Sequence, residues 1–425
     1  MMDKHLRPTE LPPSQGLLSR RQAVLVFLSF AFAYFFSALV RAVTATLAPQ
    51  FSVELSLSSG DLGLLAGAYF FGFAVMQLPL GSALDKFGPR RVLLAFLSVA
   101  VLGCAAFAMA RSFLGLALAR ALIGVGVSAC LMAPMTAFRH RLSPVAQMRA
   151  TSWMLMTGSL GMVASTLPVQ WLLPTLGWRG LFWVVAVMFA LALLNIAWRV
   201  PEDGPVSRGP DGGPSGYGEV FRHPTFLRFA PMGFFQYGGL IAVQSLWAGP
   251  WLVRVCGWTP AQSAQGLFWI NAAMLLAFMV WGVALPRLFA QGLTAQRLVA
   301  LGMPLSIAAL LLAVLLGPEA TAWIWGLFCV TSTFASLSQP AIGQAFPAAL
   351  AGRALSAYNL AIFAGVFAVQ WGIGLLIDVF RTKGWSELSA FRGAFALFCL
   401  CCVISYLWFL WRDDALTNPT PKIAN

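Results

Sequence analysis

The residue with the clearest chemistry is an arginine. Arg41 stands about 27 Å along an apolar run that opens near residue 23, if that run is helical. Tyr34, Ser37 and Thr44 lie at −7, −4 and +3 from it, which puts all four on one helical face. A guanidinium is a rigid fork of N–H donors that fits carboxylate, sulfonate or phosphate oxygens. At lipid depth such a charge is expensive and marks function by default. A polar stripe of this kind should line a cavity rather than face acyl chains. Two other placements fit the same spacing: a side chain reaching out to the headgroups, and a purely structural hydrogen-bond role. The expectation taken here is a fixed cation for an anionic solute.

The remaining polar residues bear on that expectation. None of the 14 acids lies in the middle of an apolar run. Asp61 reads as the N-cap of the second run, Asp85 sits in the loop after it, and Asp378 stands at the end of the eleventh. Arg41 therefore has no built-in counter-charge, which suits a solute that brings its own. His5, His140 and His223 all fall outside the runs, so no proton relay at mid-depth is visible. Exchange, facilitated passage, and symport with a co-transported proton stay open. Gln236, Tyr237 and Gln244 in the seventh run, Asn271 in the eighth, and Asn359 and Gln370 in the eleventh are equally good as substrate contacts and as ties between helices. Arg120 in the fourth run is either a structural donor or a second cation, and Trp247 is a candidate cavity wall. The seven cysteines show neither disulfide nor metal spacing and read as small buried hydrophobes. No metal or cofactor is expected. Without a cluster of His, Cys or carboxylates there is no basis for an enzyme, and without a phosphate loop there is none for an ATP-driven pump.

The elements that must position these residues follow from composition. Of 425 residues, 59% are hydrophobic and 10% charged, which excludes a soluble globular protein and a disordered one. Apolar runs long enough for a bilayer fall at 23–48, 61–82, 92–110, 113–138, 151–175, 180–198, 226–252, 262–285, 298–317, 321–345, 355–379 and 393–411. The expected fold is an all-α membrane protein with twelve transmembrane helices. The net charge of +13 lies between the runs, so it points to topology rather than to nucleic acid. With the N-terminus inside, nineteen Lys and Arg fall on the inner side and six on the outer. That bias puts both termini in the cytoplasm. The Gly- and Pro-rich stretch about 201–224 has no helical period and reads as a linker. The expected organisation is a tail 1–22, a six-helix bundle 23–199, a linker 200–225, a second bundle 226–411 and a tail 412–425.

The two bundles echo each other. Gly81-Ser-Ala-Leu-Asp85-Lys86 after the second run is matched by Gly282-Val-Ala-Leu-Pro286-Arg287 after the eighth. Arg149-Ala-Thr-Ser152 is matched by Arg353-Ala-Leu-Ser356, and Arg179-Gly-Leu-Phe182 by Arg392-Gly-Ala-Phe395. Duplicated six-helix units point to pseudo-symmetric bundles with a site between them. The loop Gly81-Ser-Ala-Leu-Asp85-Lys86-Phe-Gly88-Pro-Arg90-Arg91 resembles the G-x-x-x-D-[RK]-x-G-x-[RK]-[RK] loop of the major facilitator superfamily. Arg120-Ala-Leu-Ile-Gly124-Val-Gly126 is similar to that family's R-x-x-x-G-x-G element. The resemblance spans about 20–412 and implies alternating access. It also implies a gating role for the loop, with Asp85 facing the positive end of helix 11, starting near Ala354 or Ser356. An Arg in the first helix resembles that of the groups carrying organic acids, sugar acids and organophosphates, although the acid that often precedes it is Val40 here. The implied protein is a multi-pass transporter of the bacterial inner membrane, functional as a monomer. A proton-driven multidrug exporter is the alternative within the family, and a transporter-like sensor the alternative outside it.

Overall fold

The computed structural model describes residues 18–202 and 217–412, which are helices joined by short turns, with no strand among them. The helices run in order as α1 Arg20–Glu54, α2 Ser59–Val75, α3 Gln77–Phe87, α4 Pro89–Met109, α5 Phe113–Val127, α6 Ala129–Arg141, α7 Pro144–Ala164 and α8 Leu167–Arg199. The short α9 Tyr217–Arg222 and α10 Pro224–Met232 follow. Next, α11 Gly238–Ala242 and α12 Ala248–Pro250 alternate with π-helical stretches at Gly233–Tyr237, Val243–Trp247 and Trp251–Val255. The rest comprises α13 Pro260–Ala290, α14 Ala295–Leu316, α15 Ala322–Ser332, α16 Ser338–Ala345, α17 Ala348–Thr382 and α18 Glu387–Trp411.

All twelve apolar runs are helical, but they are not twelve uninterrupted rods. Among the described residues eight helices are long and apolar enough to cross a membrane, and α2 with α3, bent by 44°, makes a ninth. The runs 151–175, 226–252 and 321–345 are broken. Proline accounts for much of this, because it removes a donor and clashes with the carbonyl four residues back. Pro79 follows Val75, the last residue of α2, by four, and Pro168 follows Ala164, the last residue of α7, by four. In the same way Pro250 stands four after Leu246 in a π stretch, and Pro340 four after Ser336 in the 3-10 stretch Thr333–Leu337. Pro134 and Pro304 sit inside unbroken helices, so proline alone is not sufficient. In α8 the chain turns at Gly177, whose φ of 60° and ψ of 171° favour glycine.

Three expectations at element ends need correction. The N-cap of α2 is Ser58, whose side chain accepts from the Asp61 backbone, while Asp61 closes a capping box from the third position. The eleventh apolar run belongs to a helix that begins at Ala348, ahead of Ala354. The stretch taken as linker includes α9, because Tyr217, Val220 and Phe221 form a short apolar face and Val220 is buried beside Phe226 and Phe229. The rest of that linker (203–216), most of the N-terminal tail, and the tail beyond residue 412 lie outside the described residues.

Packing differs between the two ends of the molecule. We call the end holding the α1–α2 turn and the C-terminus of α17 distal, and the end holding α3, α9 and the start of α17 proximal. One buried cluster runs from Val26 to Cys402 and joins the first part of the chain to the distal portions of the second, including Trp247, Trp251 and Phe395. A separate cluster, Val220 to Phe409, is built only from the proximal portions of the second part. Helices α2 and α17 pack along their length by glycine contact. A Cβ at Gly63 would overlap Gln370 O, and one at Gly374 would overlap Ser59 O. Phe73 and Phe363 continue the seam, with ring centroids 4.3 Å apart.

Candidate functional site

The site is built around Arg41 on α1. Burial of α1 is dense on the same face, with Tyr34, Ser37 and Val40 all covered. Arg41 itself is partly accessible. Its electrostatic neighbours are the hydroxyls of Tyr34 and Tyr69, the Cys130 thiol, and Tyr237 from the second part of the chain. Arg41 Nε is buried without a hydrogen-bond partner, as are Ser37 Oγ and Tyr69 Oη. No carboxylate among the described residues forms an ion pair with Arg41. Gly158 on α7 allows this arrangement, because a Cβ there would meet the Tyr34 ring at 2.5 Å.

The expected stripe of four residues splits. Tyr34 and Ser37 stay with Arg41, but the Thr44 hydroxyl accepts a hydrogen bond from Arg120 Nη2. Arg120 Nη1 donates to Val40 O at 3.3 Å. Arg120 is 1% exposed, with Tyr69 and Phe107 rings 5.3 and 5.9 Å from its guanidinium carbon. It therefore stitches α5 to α1, and Thr44 belongs to that stitch, not to the Arg41 pocket. Tyr69 lies between the two arginines and feels both.

The amides divide similarly. Gln244 donates to Asn271 Oδ1 at 2.8 Å, and Asn271 donates to Leu267 O at 2.8 Å. Gln244 Nε2 also lies 3.7 Å from Met162 Sδ, so this pair reaches across to α7. Asn359 accepts from Gln339 at 2.9 Å and remains partly accessible. Gln236 instead donates to Cys402 O at 3.1 Å and holds α18. Gln370 donates to Ser245 Oγ at 2.9 Å, while its Oε1 is buried and unpartnered. Trp247 is fully buried and donates to Gln370 O at 3.0 Å, so it works as a tie between helices.

Sequence reasoning passed over Tyr69, Tyr358, Cys130 and Gln339. Tyr358 is buried with an unpartnered hydroxyl and interacts with Tyr237. Tyr34, Tyr69, Tyr237 and Tyr358 are four of only six tyrosines in the chain. That scarcity was the available signal, since a tyrosine in an apolar run brings a hydroxyl that must be satisfied. A crevice of about 680 Å³ lies elsewhere: it opens between α13 and α15 beside Trp258, Trp269 and Trp323 and does not include Arg41.

The loop motif lies at the proximal end. Gly88, with φ 80°, ends α3 and starts α4 at Pro89. Arg90 donates to Ala197 O at 2.6 Å and pairs with Glu202 at 3.0 Å. Gly81 faces Ser356 on α17, while Asp85, Lys86 and Arg91 are exposed. Tyr217 stands among Asp85, Arg353 and Ser356.

Comparison with known proteins places these features. Over 204 residues the chain is 26% identical to the cis,cis-muconate transport protein of Acinetobacter baylyi, covering 44% of this chain and 48% of that one, so the match spans about half that relative's length. Over 337 residues it is 28% identical to the multidrug resistance protein MdtM of Salmonella typhimurium, covering 76% and 75% of the two chains. A 114-residue stretch is 30% identical to the probable sulfoacetate transporter SauU of Cupriavidus necator, covering 27% and 26%. The fold matches a bacterial homolog of the human lysosomal transporter Spinster, in an inward-facing, unoccupied conformation. That match has a TM-score of 0.76 and 18% identity, and covers 96% of this chain and all of that one. The family model described as Major Facilitator Superfamily matches residues 30–370, from ahead of Tyr34 to Gln370. That range takes in the loop motif and both arginines, and the chain belongs to the Major Facilitator Superfamily.

Proposed function

We propose that this transporter moves a small organic anion by alternating access, with Arg41 as the anion-binding residue. The observation that carries the reading is the Arg41 guanidinium. It is partly accessible, surrounded by tyrosine hydroxyls from both parts of the chain, and without a carboxylate partner. A carboxylate, sulfonate, sugar acid or organophosphate would supply the missing charge and accept the unused donors. Tyr34, Ser37, Tyr69 and Tyr237 complete the proposed seat, with the Gln244–Asn271 and Gln339–Asn359 pairs as further polar walls.

In this reading the broken runs count as spans, giving twelve helices in two bundles, 23–199 and 226–411, with cytoplasmic termini in a bacterial inner membrane. The protein works as a monomer, and a proton accompanies the solute or exchange replaces it. Two of the relatives, the muconate transport protein and the probable sulfoacetate transporter, are named for anionic solutes, which agrees with an anionic cargo. The multidrug relative has the longest of these alignments, and this supports proton-driven export of an amphiphile as the second reading.

A thermal-shift screen of the purified protein separates the two. The panel contains mono- and dicarboxylates, sulfonates, sugar acids, phosphate esters and lipophilic cations, each run on wild type and Arg41→Ala. A ligand at about 100 times its Kd should stabilise the fold by about 2.7 kcal/mol. An anion that stabilises wild type and leaves Arg41→Ala unmoved supports the proposal. Stabilisation by lipophilic cations alone replaces it with the exporter.

A further inference from the structure

At the distal end, two backbone N–H groups in the first turn of α2 donate to one side chain of α17. Ser59 N reaches Asp378 Oδ1 at 3.0 Å, and Gly60 N reaches Asp378 Oδ2 at 2.7 Å. The start of a helix presents unsatisfied N–H groups and positive potential, and a carboxylate answers both. Helix α2 already has its own cap from Ser58 and Asp61, so Asp378 is a second acceptor, supplied by a distant part of the chain. The contact is tight. A Cβ at Gly60 would come within 2.8 Å of Asp378 Oδ2. Arg254 joins the same junction: its Nη1 donates to Ser59 Oγ at 3.0 Å, and its Nε pairs with Glu387 at 2.5 Å.

We infer that Asp378 is the latch that holds the distal end of the bundle shut, and that its release from Ser59 and Gly60 is a step of the conformational cycle. Helix α2 runs from distal to proximal and α17 runs the other way, so each offers its N-terminal turns to the C-terminal end of the other or of its extension. At the distal end the carboxylate of α17 is engaged on α2. At the proximal end Asp85 on α3 is exposed beside α17. Asp378 is held by backbone N–H groups and Asp85 is exposed near Tyr217, at ends that share one buried cluster distally and have a separate one proximally. Rocking α17 against the α2–α3 pair lets one acid engage as the other disengages. The latch does not depend on which solute is carried.

Hydrogen–deuterium exchange on the full-length protein in detergent tests this, with wild type, Asp378→Asn and Asp378→Glu. Asparagine puts an amide N–H against a backbone N–H. Exchange should then quicken about tenfold in peptides covering the start of α2 and the end of α17, as for loss of a charge-assisted hydrogen bond. The proximal peptides of α3 and the start of α17 should slow in the same variant, and Asp378→Glu should recover part of both changes. If only the first turn of α2 responds, Asp378 is a local cap and the latch is overturned. Unchanged exchange at both ends overturns it too. Should Asp378→Asn fail to purify, Arg254→Gln loosens the same junction from its other side and is read by the same criteria.

Discussion

Two arginines sit at similar depth in neighbouring helices and are treated in opposite ways. Arg120 has a backbone carbonyl, a threonine hydroxyl and two aromatic faces, and is 1% exposed. Arg41 has hydroxyl neighbours and partial access, while Nε is buried without a partner in both arginines. A buried cation whose acceptors come from its own chain stabilises the fold. One that stays accessible, with hydroxyls as its neighbours, is left with donors to spend on a visitor. Residue type does not separate the two cases; accessibility and the partners of the terminal Nη groups do.

The comparison is most sharply tested at Arg120. Arg120→Ala removes the stitch between α5 and α1 and leaves a cavity, and should cost about 3 kcal/mol, read as a lower thermal midpoint of the ligand-free protein. Arg41→Ala should leave that midpoint almost unmoved. If Arg41→Ala is the more damaging of the two, the assignment of roles is reversed. Tyr69→Phe comes next, because its hydroxyl lies between the arginines while its ring packs near Arg120. Keeping the ring should hold stability within about 1 kcal/mol, and losing the hydroxyl should weaken anion binding about tenfold, measured by titration calorimetry. The smallest effect is expected for Thr44→Val. It should lower stability by about 1 kcal/mol and leave anion affinity unchanged, and a change in affinity would return Thr44 to the binding pocket.

Much of this fold is legible from composition. The twelve apolar runs are local properties, and each is helical in the structure. Their interruptions were also written in the chain at Pro79, Pro168, Pro250 and Pro340, but apolar length alone does not register a proline within a run. Arg41 was found by the same rule that found Arg120, namely charge inside an apolar run. What the sequence could not show is which residues face which. Thr44 shares a helical face with Arg41, yet it is taken by α5, whose position relative to α1 is set by tertiary packing. Tyr69 and Tyr358 are single hydroxyls in apolar runs, and only the tertiary packing leaves those hydroxyls buried without partners. Asp378 reads as an acid at a helix end, and only the approach of α2, permitted by Gly60 and Gly374, gives it a partner more than three hundred residues away.

An intact helix resists bending because each degree of tilt stretches the ladder of bonds along its outer edge. Where Pro79 divides α2 from α3 and Pro168 divides α7 from α8, that ladder is already missing a rung. Motion at those places ruptures nothing further, so the molecule behaves as short stiff rods meeting at pre-cut joints. Deformation then concentrates at known depths, and the packed seams between the rods travel as units.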